Sequence, residues 1–364
     1  MSPDIKTVLQ RGAAAPSGPP DLRAAARRGR TWKTRRLIVS GSFGAAAVAA
    51  VVAIAVAALG SEGVDRAPHP ASSPTWEIET SRVQLDDQPY AVYGDGPALW
   101  VSGGRGTVVE IRDRPVAEYP HPTGPLGITV VDGEVWTTAA SEERHGLAGI
   151  VVLDSETGEV VRTIGLPGDS PYGIDHAQGG VFVALHDGEL LRIDPRDEST
   201  ERVRLGNGLT QVLATDDAVW VSQPRAGAVW RVTFDGGEPK AEAIPLGEGG
   251  RRCPQGSAAS EESVLVADPC AGKVWKLDPR DGAVAGALSD AGRRPTDVAV
   301  GDGWIYVVSS QDGRVTVFDE STLEEVGGAQ AGPGAISVAA GAGVAWVANM
   351  DDSSVTRIEV RKSE

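Results

Sequence analysis

From about residue 76 onward, apolar and polar positions alternate in short runs that recur as one phrase repeated seven times. In each repeat a small residue, often Pro or Gly, leads into a short apolar run. A polar turn follows, and then a second run, usually centred on an aromatic side chain. These centres are Trp100, Trp136, Phe182, Trp220, Leu265, Tyr306 and Trp346, spaced 36, 46, 38, 45, 41 and 40 residues apart. Short runs of this kind read as strands, and four of them per period of about forty residues predict the blade of a β-propeller. The uneven spacing belongs to loops, which tolerate insertion where a blade core does not.

The first strands of the seven units are expected at 90–93, 127–131, 173–176, 211–215, 256–260, 297–300 and 336–339. Third strands alternate apolar and polar at 107–112, 149–154, 189–194, 228–234, 273–278, 314–319 and 355–360. Turns after several third strands begin with Asp and some end with Gly, as in Asp154 to Gly158 and Asp278 to Gly282. An Asp side chain there accepts backbone N–H bonds and the Gly supplies positive φ, so turn chemistry accounts for these carboxylates without a metal. Fourth strands follow in only six units. The run 76–85 has strand character and no partner of its own, so it is expected to complete the last blade and remove the open edges of the ring. The fold class is therefore all-β, a seven-bladed propeller of four-stranded antiparallel blades. The large residue at each second-strand centre is read as packing between neighbouring blades, because Leu265 shares only bulk with the others.

Ahead of the repeats, residues 37–59 carry no charge, long enough at 1.5 Å per residue to cross a bilayer core. Nine Lys and Arg against two Asp give residues 1–60 a charge of +7, leaving −23 of the total −16 for the remainder. This segregation predicts a basic cytoplasmic tail over 1–36, a single transmembrane signal-anchor helix over 37–59, a linker over 60–75 and an extracytoplasmic propeller over 76–364. A cleaved secretory signal with a site at Ala55-Val56-Ala57 is the competing reading, disfavoured by the length of the basic and apolar regions. The expected partners are thus the membrane, through 37–59, and an envelope ligand or protein; the acidic propeller argues against nucleic acid. Cys253 and Cys270 fall in loops of the fifth unit on one side of the ring, and an even count outside the membrane points to a disulfide.

Candidate chemistry lies on the face that carries the loops before first strands and after second strands. Ligand-facing candidates there are Arg105, Arg144, Gln223, Arg225, Gln311, Asp312, Asn349 and Asp351. His145, with Glu142 or Glu143, and His186 are the candidate acid–base groups. No metal site is expected, since two Cys lack further ligands and one acidic pair falls short of the six to eight oxygens a hard cation needs. No cofactor is expected either, and a divalent cation enters only if the chain is an enzyme.

The segments Gly124-Pro125-Leu126-Gly127-Ile128-Thr129, Ser170-Pro171-Tyr172-Gly173-Ile174-Asp175 and Arg294-Pro295-Thr296-Asp297-Val298-Ala299, two of them followed by Asp-Gly turns, resemble those of YVTN/NHL-type propellers. They also resemble the streptogramin (virginiamycin B) lyase-like superfamily. The resemblance spans 76–360 and implies the propeller. For the lyases it further implies Mg²⁺ with His and Glu groups near strand ends of the form aromatic-Thr-Glu. This chain ends those strands Trp-Val-Ser-Gly, Trp-Thr-Thr-Ala, Phe-Val-Ala-Leu, Trp-Val-Ser-Gln and Trp-Val-Ala-Asn, so the lyase site transfers to no residue. The basic, Ala- and Pro-rich start resembles actinobacterial membrane proteins with short cytoplasmic tails, some of which work beside extracytoplasmic-function sigma factors. Two functions remain: a membrane-tethered extracytoplasmic binding or sensing module, which the lack of a compact catalytic constellation favours, or an envelope lyase or hydrolase built on His145, His186 and carboxylates.

Overall fold

The computed structural model describes residues 76–95, 98–112, 115–141, 147–288 and 290–362, and residues 74–364 form one compact unit. The tail, the apolar segment and the linker expected over 1–75 lie outside the described residues, as do Glu142, Glu143, Arg144 and His145. Among the described residues no helix is long and apolar enough to cross a membrane.

Seven four-stranded antiparallel sheets are present, six of them built from consecutive strands. We number these sheets as blades 1 to 7 from the N-terminus and letter their strands a to d outward from the axis. The a strands are Pro89–Asp95, Pro125–Val131, Pro171–Ala177, Val212–Ala214, Ser257–Ala259, Pro295–Gly301 and Ala335–Gly341. In blade 7 the outer place is taken by Trp76–Gln84, which pairs antiparallel with Ser354–Lys362 over nine residues, from Trp76 opposite Lys362 to Gln84 opposite Ser354. The closure expected from the orphan first run is therefore the one observed. It joins the two ends of the domain in one ladder and leaves no blade a strand short. Four of the a–b hairpins close through two residues of positive φ, Asp132-Gly133, Gln178-Gly179, Asp302-Gly303 and Ala342-Gly343. That is the two-residue turn whose twist matches the flanking strands.

The core is divided among the blade interfaces. The seven second-strand centres are all buried, from fully enclosed Trp136, Phe182 and Leu265 to Trp346 at 8 % exposure. Each packs onto the following blade. Trp136 meets Ile174, Val181 and Val183; Phe182 meets Val212 and Val221; and Trp346, across the closure, meets Val92, Leu99 and Val101. Leu265 fills the same slot against Val298, Ile305 and Phe318, so bulk rather than an aromatic ring is what the interface requires. At about 25 cal/mol per Å² and 150–250 Å² per aromatic side chain, each aromatic keystone contributes roughly 4–6 kcal/mol gross to its interface. Cys253 and Cys270 are joined by a disulfide with Cα atoms 5.5 Å apart, linking the loop before the a strand of blade 5 to the loop after its b strand.

Candidate functional site in the central channel

Where seven a strands converge on an axis, their side chains and backbones crowd, and small residues appear for that reason. A Cβ at Gly127 would stand 2.7 Å from the carbonyl oxygen of Tyr172, and one at Gly173 would collide with the carbonyl of Thr210. What remains between the strands is a channel of about 510 Å³, walled by a-strand residues of all seven blades. This is within the range of small-molecule sites.

The channel is not uniformly apolar. Tyr90, at the start of the blade 1 a strand, and Tyr172, in blade 3, join their hydroxyls in a hydrogen bond of 2.8 Å. Burial, then the bond to Tyr172, raises the Tyr90 phenol well above its ordinary value, so it stays neutral. The His186 ring lies beside Tyr172, centroids 6.2 Å apart. Its Nδ1 is 3.1 Å from the Leu209 carbonyl, which only accepts, so the imidazole proton sits on Nδ1.

Two carboxylates also face the channel. Asp175 accepts N–H bonds from its neighbour His176 and from Ala214 in the next blade, both 2.8 Å. Asp297 accepts from Val298 at 3.0 Å and from Val338 of the next blade at 2.9 Å. Each carboxylate thus ties the a strand of its own blade to that of the following one. Burial pushes both acids up to about 6, with the N–H bonds offsetting part of that rise. Their levels differ. Asp175 lies opposite Phe182 on its b strand, whereas Asp297 lies opposite Val308, two residues nearer the upper, loop-bearing face. That offset is roughly 6–7 Å along the strand direction.

The loop face places the residues singled out from the sequence differently. Arg105, Arg225, Gln311, Asp312 and Asp351 are exposed on its rim and none lines the channel. The Asp312 carboxylate accepts the Arg314 N–H at 3.3 Å, as a turn residue does. Gln223 is buried, donating to the Asn207 carbonyl at 3.1 Å and accepting from the Trp230 indole at 2.8 Å. Asn349 is fully buried, accepting from the Gly332 N–H and donating to Ser354 and Thr356. Both close the turn after their b strand and present nothing to a ligand on the rim. Asp268 holds the same place in blade 5. Its carboxylate accepts from the backbone of Cys253, Cys270 and Ala271 and from the Trp275 indole. Cys253, Asp268 and Cys270 are close enough together to suggest a metal site. The sulfurs, however, are bonded to each other and the carboxylate is fully engaged, so this group offers no ligand set.

Of the sequence candidates that are described, His186 alone stands beside a channel-lining residue. Tyr90, Tyr172, Asp175 and Asp297 were not singled out as site residues. The signal that marks them is a charged or phenolic residue inside a strand whose other positions are small and apolar.

No family model matches the sequence, and a search of curated proteins finds no relative. Solved structures do share the architecture. The structure of streptogramin B lyase matches with a TM-score of 0.66 at 17 % identity, over 78 % of this chain and 98 % of that one. A catalytically inactive virginiamycin B lyase from Staphylococcus aureus with quinupristin matches with a TM-score of 0.65 at 18 % identity, over 78 % and 99 %. The computationally designed Ika8 protein matches at 0.56 and 12 % identity, over 75 % and 98 %. At such identities the likeness is one of fold, and it agrees with the propeller read from the repeats.

Proposed function

We propose that this chain is a membrane-tethered, extracytoplasmic binding or sensing module whose propeller takes a small polar ligand into its central channel. The observation that carries the reading is the channel itself. It is of ligand size, and it places three tyrosines and two carboxylates on walls made otherwise of apolar residues, glycines and uncharged polar residues such as Gln211 and Gln255. The polar side chains Gln223, Asp268 and Asn349, by contrast, are engaged in holding turns. The uncharged stretch 37–59 after a basic tail supports the tether, and the Cys253–Cys270 disulfide fits an oxidising compartment. The fold likeness to the lyases brings no activity with it, because the strand ends that resemblance would need carry no Glu.

The test is a thermal-shift titration of the full-length chain against a panel of small cationic, neutral and anionic molecules, repeated on Tyr172→Ala. Ligand at a hundred times its Kd adds about 2.7 kcal/mol, which for a domain of this size raises Tm by about 4 °C. A saturable shift that Tyr172→Ala abolishes is the expected result. A flat response to the whole panel, or a shift indifferent to Tyr172, refutes channel binding.

A further inference from the structure

The channel's ionisable groups all have one character. Among the residues that line it are Tyr90, Tyr93, Tyr172, Asp175 and Asp297, and no Lys, Arg or His. Blades 3 and 6 are three apart in a ring of seven, so Asp175 and Asp297 stand on nearly opposite walls at adjacent levels. The Asp175 side chain is 21 % exposed, and the space it meets is the channel. The His176 imidazole stands beside Asp175, its Nδ1 4.0 Å from the carboxylate, but does not line the channel. A concave site whose own lining carries only carboxylates concentrates negative field in its interior. Tyr172, on the same strand as Asp175, and Tyr90 and Tyr93 of blade 1 supply aromatic rings whose faces attract a cation.

Resting on the channel-binding reading, we propose that the ligand is a small organic ammonium ion, held between the Asp175 and Asp297 carboxylates with the tyrosine rings against its alkyl or methyl groups. A bare divalent metal fits less well. Each carboxylate already accepts two backbone N–H bonds, and the pair falls far short of the six to eight oxygens a Ca²⁺ ion takes. An organic cation keeps much of its contact area apolar, needs only one or two charged partners, and matches a volume of about 510 Å³ far better than a single ion does. An anion would face two carboxylates in a lining that carries no Lys, Arg or His.

Isothermal titration of the full-length chain at pH 7.5 tests this with matched probes. The cations are choline and 1,4-diaminobutane; the controls are 3,3-dimethylbutan-1-ol as the neutral counterpart of choline, 3,3-dimethylbutanoate as an anion, and CaCl₂. At least one cation is expected to bind about tenfold or more tighter than the neutral alcohol, with no binding of the anion. Asp297→Asn and Asp175→Asn, measured separately, are each expected to weaken the cation about tenfold while leaving the neutral probe unchanged. Should one variant fail to fold, the other and the charge series still decide. Tighter binding of the neutral or anionic probe overturns the ammonium assignment yet leaves channel binding standing. Saturation by Ca²⁺ without either cation, or silence from both cations, also overturns the assignment.

Discussion

A carboxylate enclosed between blades should leave its mark on stability as a function of pH, and Asp297 offers the sharpest case. Its folded pKa is about 6 against an ordinary 3.8, because burial penalises the charged form more than the bonds from Val298 and Val338 favour it. A group whose folded pKa is raised contributes stability that is fully present below the unfolded value. The contribution is lost as pH climbs through the folded one, here between about 4 and 6. The full shift corresponds to roughly 3 kcal/mol. Asp297 is partly exposed and lines the channel, and about 1–1.5 kcal/mol is the expected effect after solvent screening. Asp297→Asn mimics the protonated acid in shape and charge and does not titrate. Urea unfolding of the parent and variant chains at pH 4 and pH 7.5 isolates the term, because every other titrating group is common to both. The variant's stability relative to the parent should rise by 1–1.5 kcal/mol between the two pH values, at an unchanged m-value. Parallel pH profiles, or a variant that gains at the acid end, would refute the claim that the folded ring holds this carboxylate at a cost. The turn residues pull the other way: Asp278, lowered to about 2 by Arg280, and Asp154 and Asp319 favour the fold above pH 4 and cease to as pH falls. Only the difference between parent and variant is therefore diagnostic.

Further perturbations, at the blade 5 disulfide, at Asp268 and at Ile78, probe what holds the ring. Replacing Cys253 and Cys270 by Ser opens a loop of 17-residue separation and should cost about 3 kcal/mol in equilibrium unfolding. Asp268→Ala should cost as much or more, about 3–5 kcal/mol, because it strands the buried Trp275 indole N–H and backbone donors together. A disulfide effect below 1 kcal/mol, or one far exceeding that of Asp268→Ala, contradicts this ranking. At the closure, Ile78 packs with the interface of blades 6 and 7 and reaches Gly327. Ile78→Ala should cost about 1–2 kcal/mol, and Ile78→Asp should also make Trp76–Gln84 the first segment cut in limited proteolysis. Digestion that begins elsewhere in the ring removes the closing strand from its assigned role.

The architecture was legible because propeller blades repeat one physical problem seven times. A large side chain at a fixed place must fill the gap to the next blade, and a short polar turn must follow. Position alone identified Leu265 as a keystone, and the missing seventh outer strand identified the segment from Trp76 as its replacement. The site was less legible because two questions there depend on direction rather than on sequence order. The first is which way the last residue of a b strand turns. Gln223, Asp268 and Asn349 lie on the loop face, as their place in the repeat implies, but their side chains fold inward to hold the next turn. In blade 1 the same space is filled from another loop. There Gly103 leaves room for the Asp87 carboxylate, which accepts from the Arg105 backbone N–H and the Thr107 hydroxyl. Nothing in the linear repeat links position 87 to position 103.

The second question is which a-strand residues reach the axis. Asp175 and Asp297 sit in segments so alike that they serve as the signature of the repeat, and these pair with their b strands in the same register, Ile174 opposite Val183 and Val298 opposite Val307. The two acids differ in level because one is the sixth residue of its segment and the other the fourth. Gly256 explains how the second is accommodated, since a Cβ there would fall on the Asp297 carboxylate. The glycine one blade earlier makes the space in which the charge is held. That fit depends on blades 5 and 6 packing side by side, and Val338 of blade 7 completes it with its N–H, so three neighbouring blades set the position of this carboxylate.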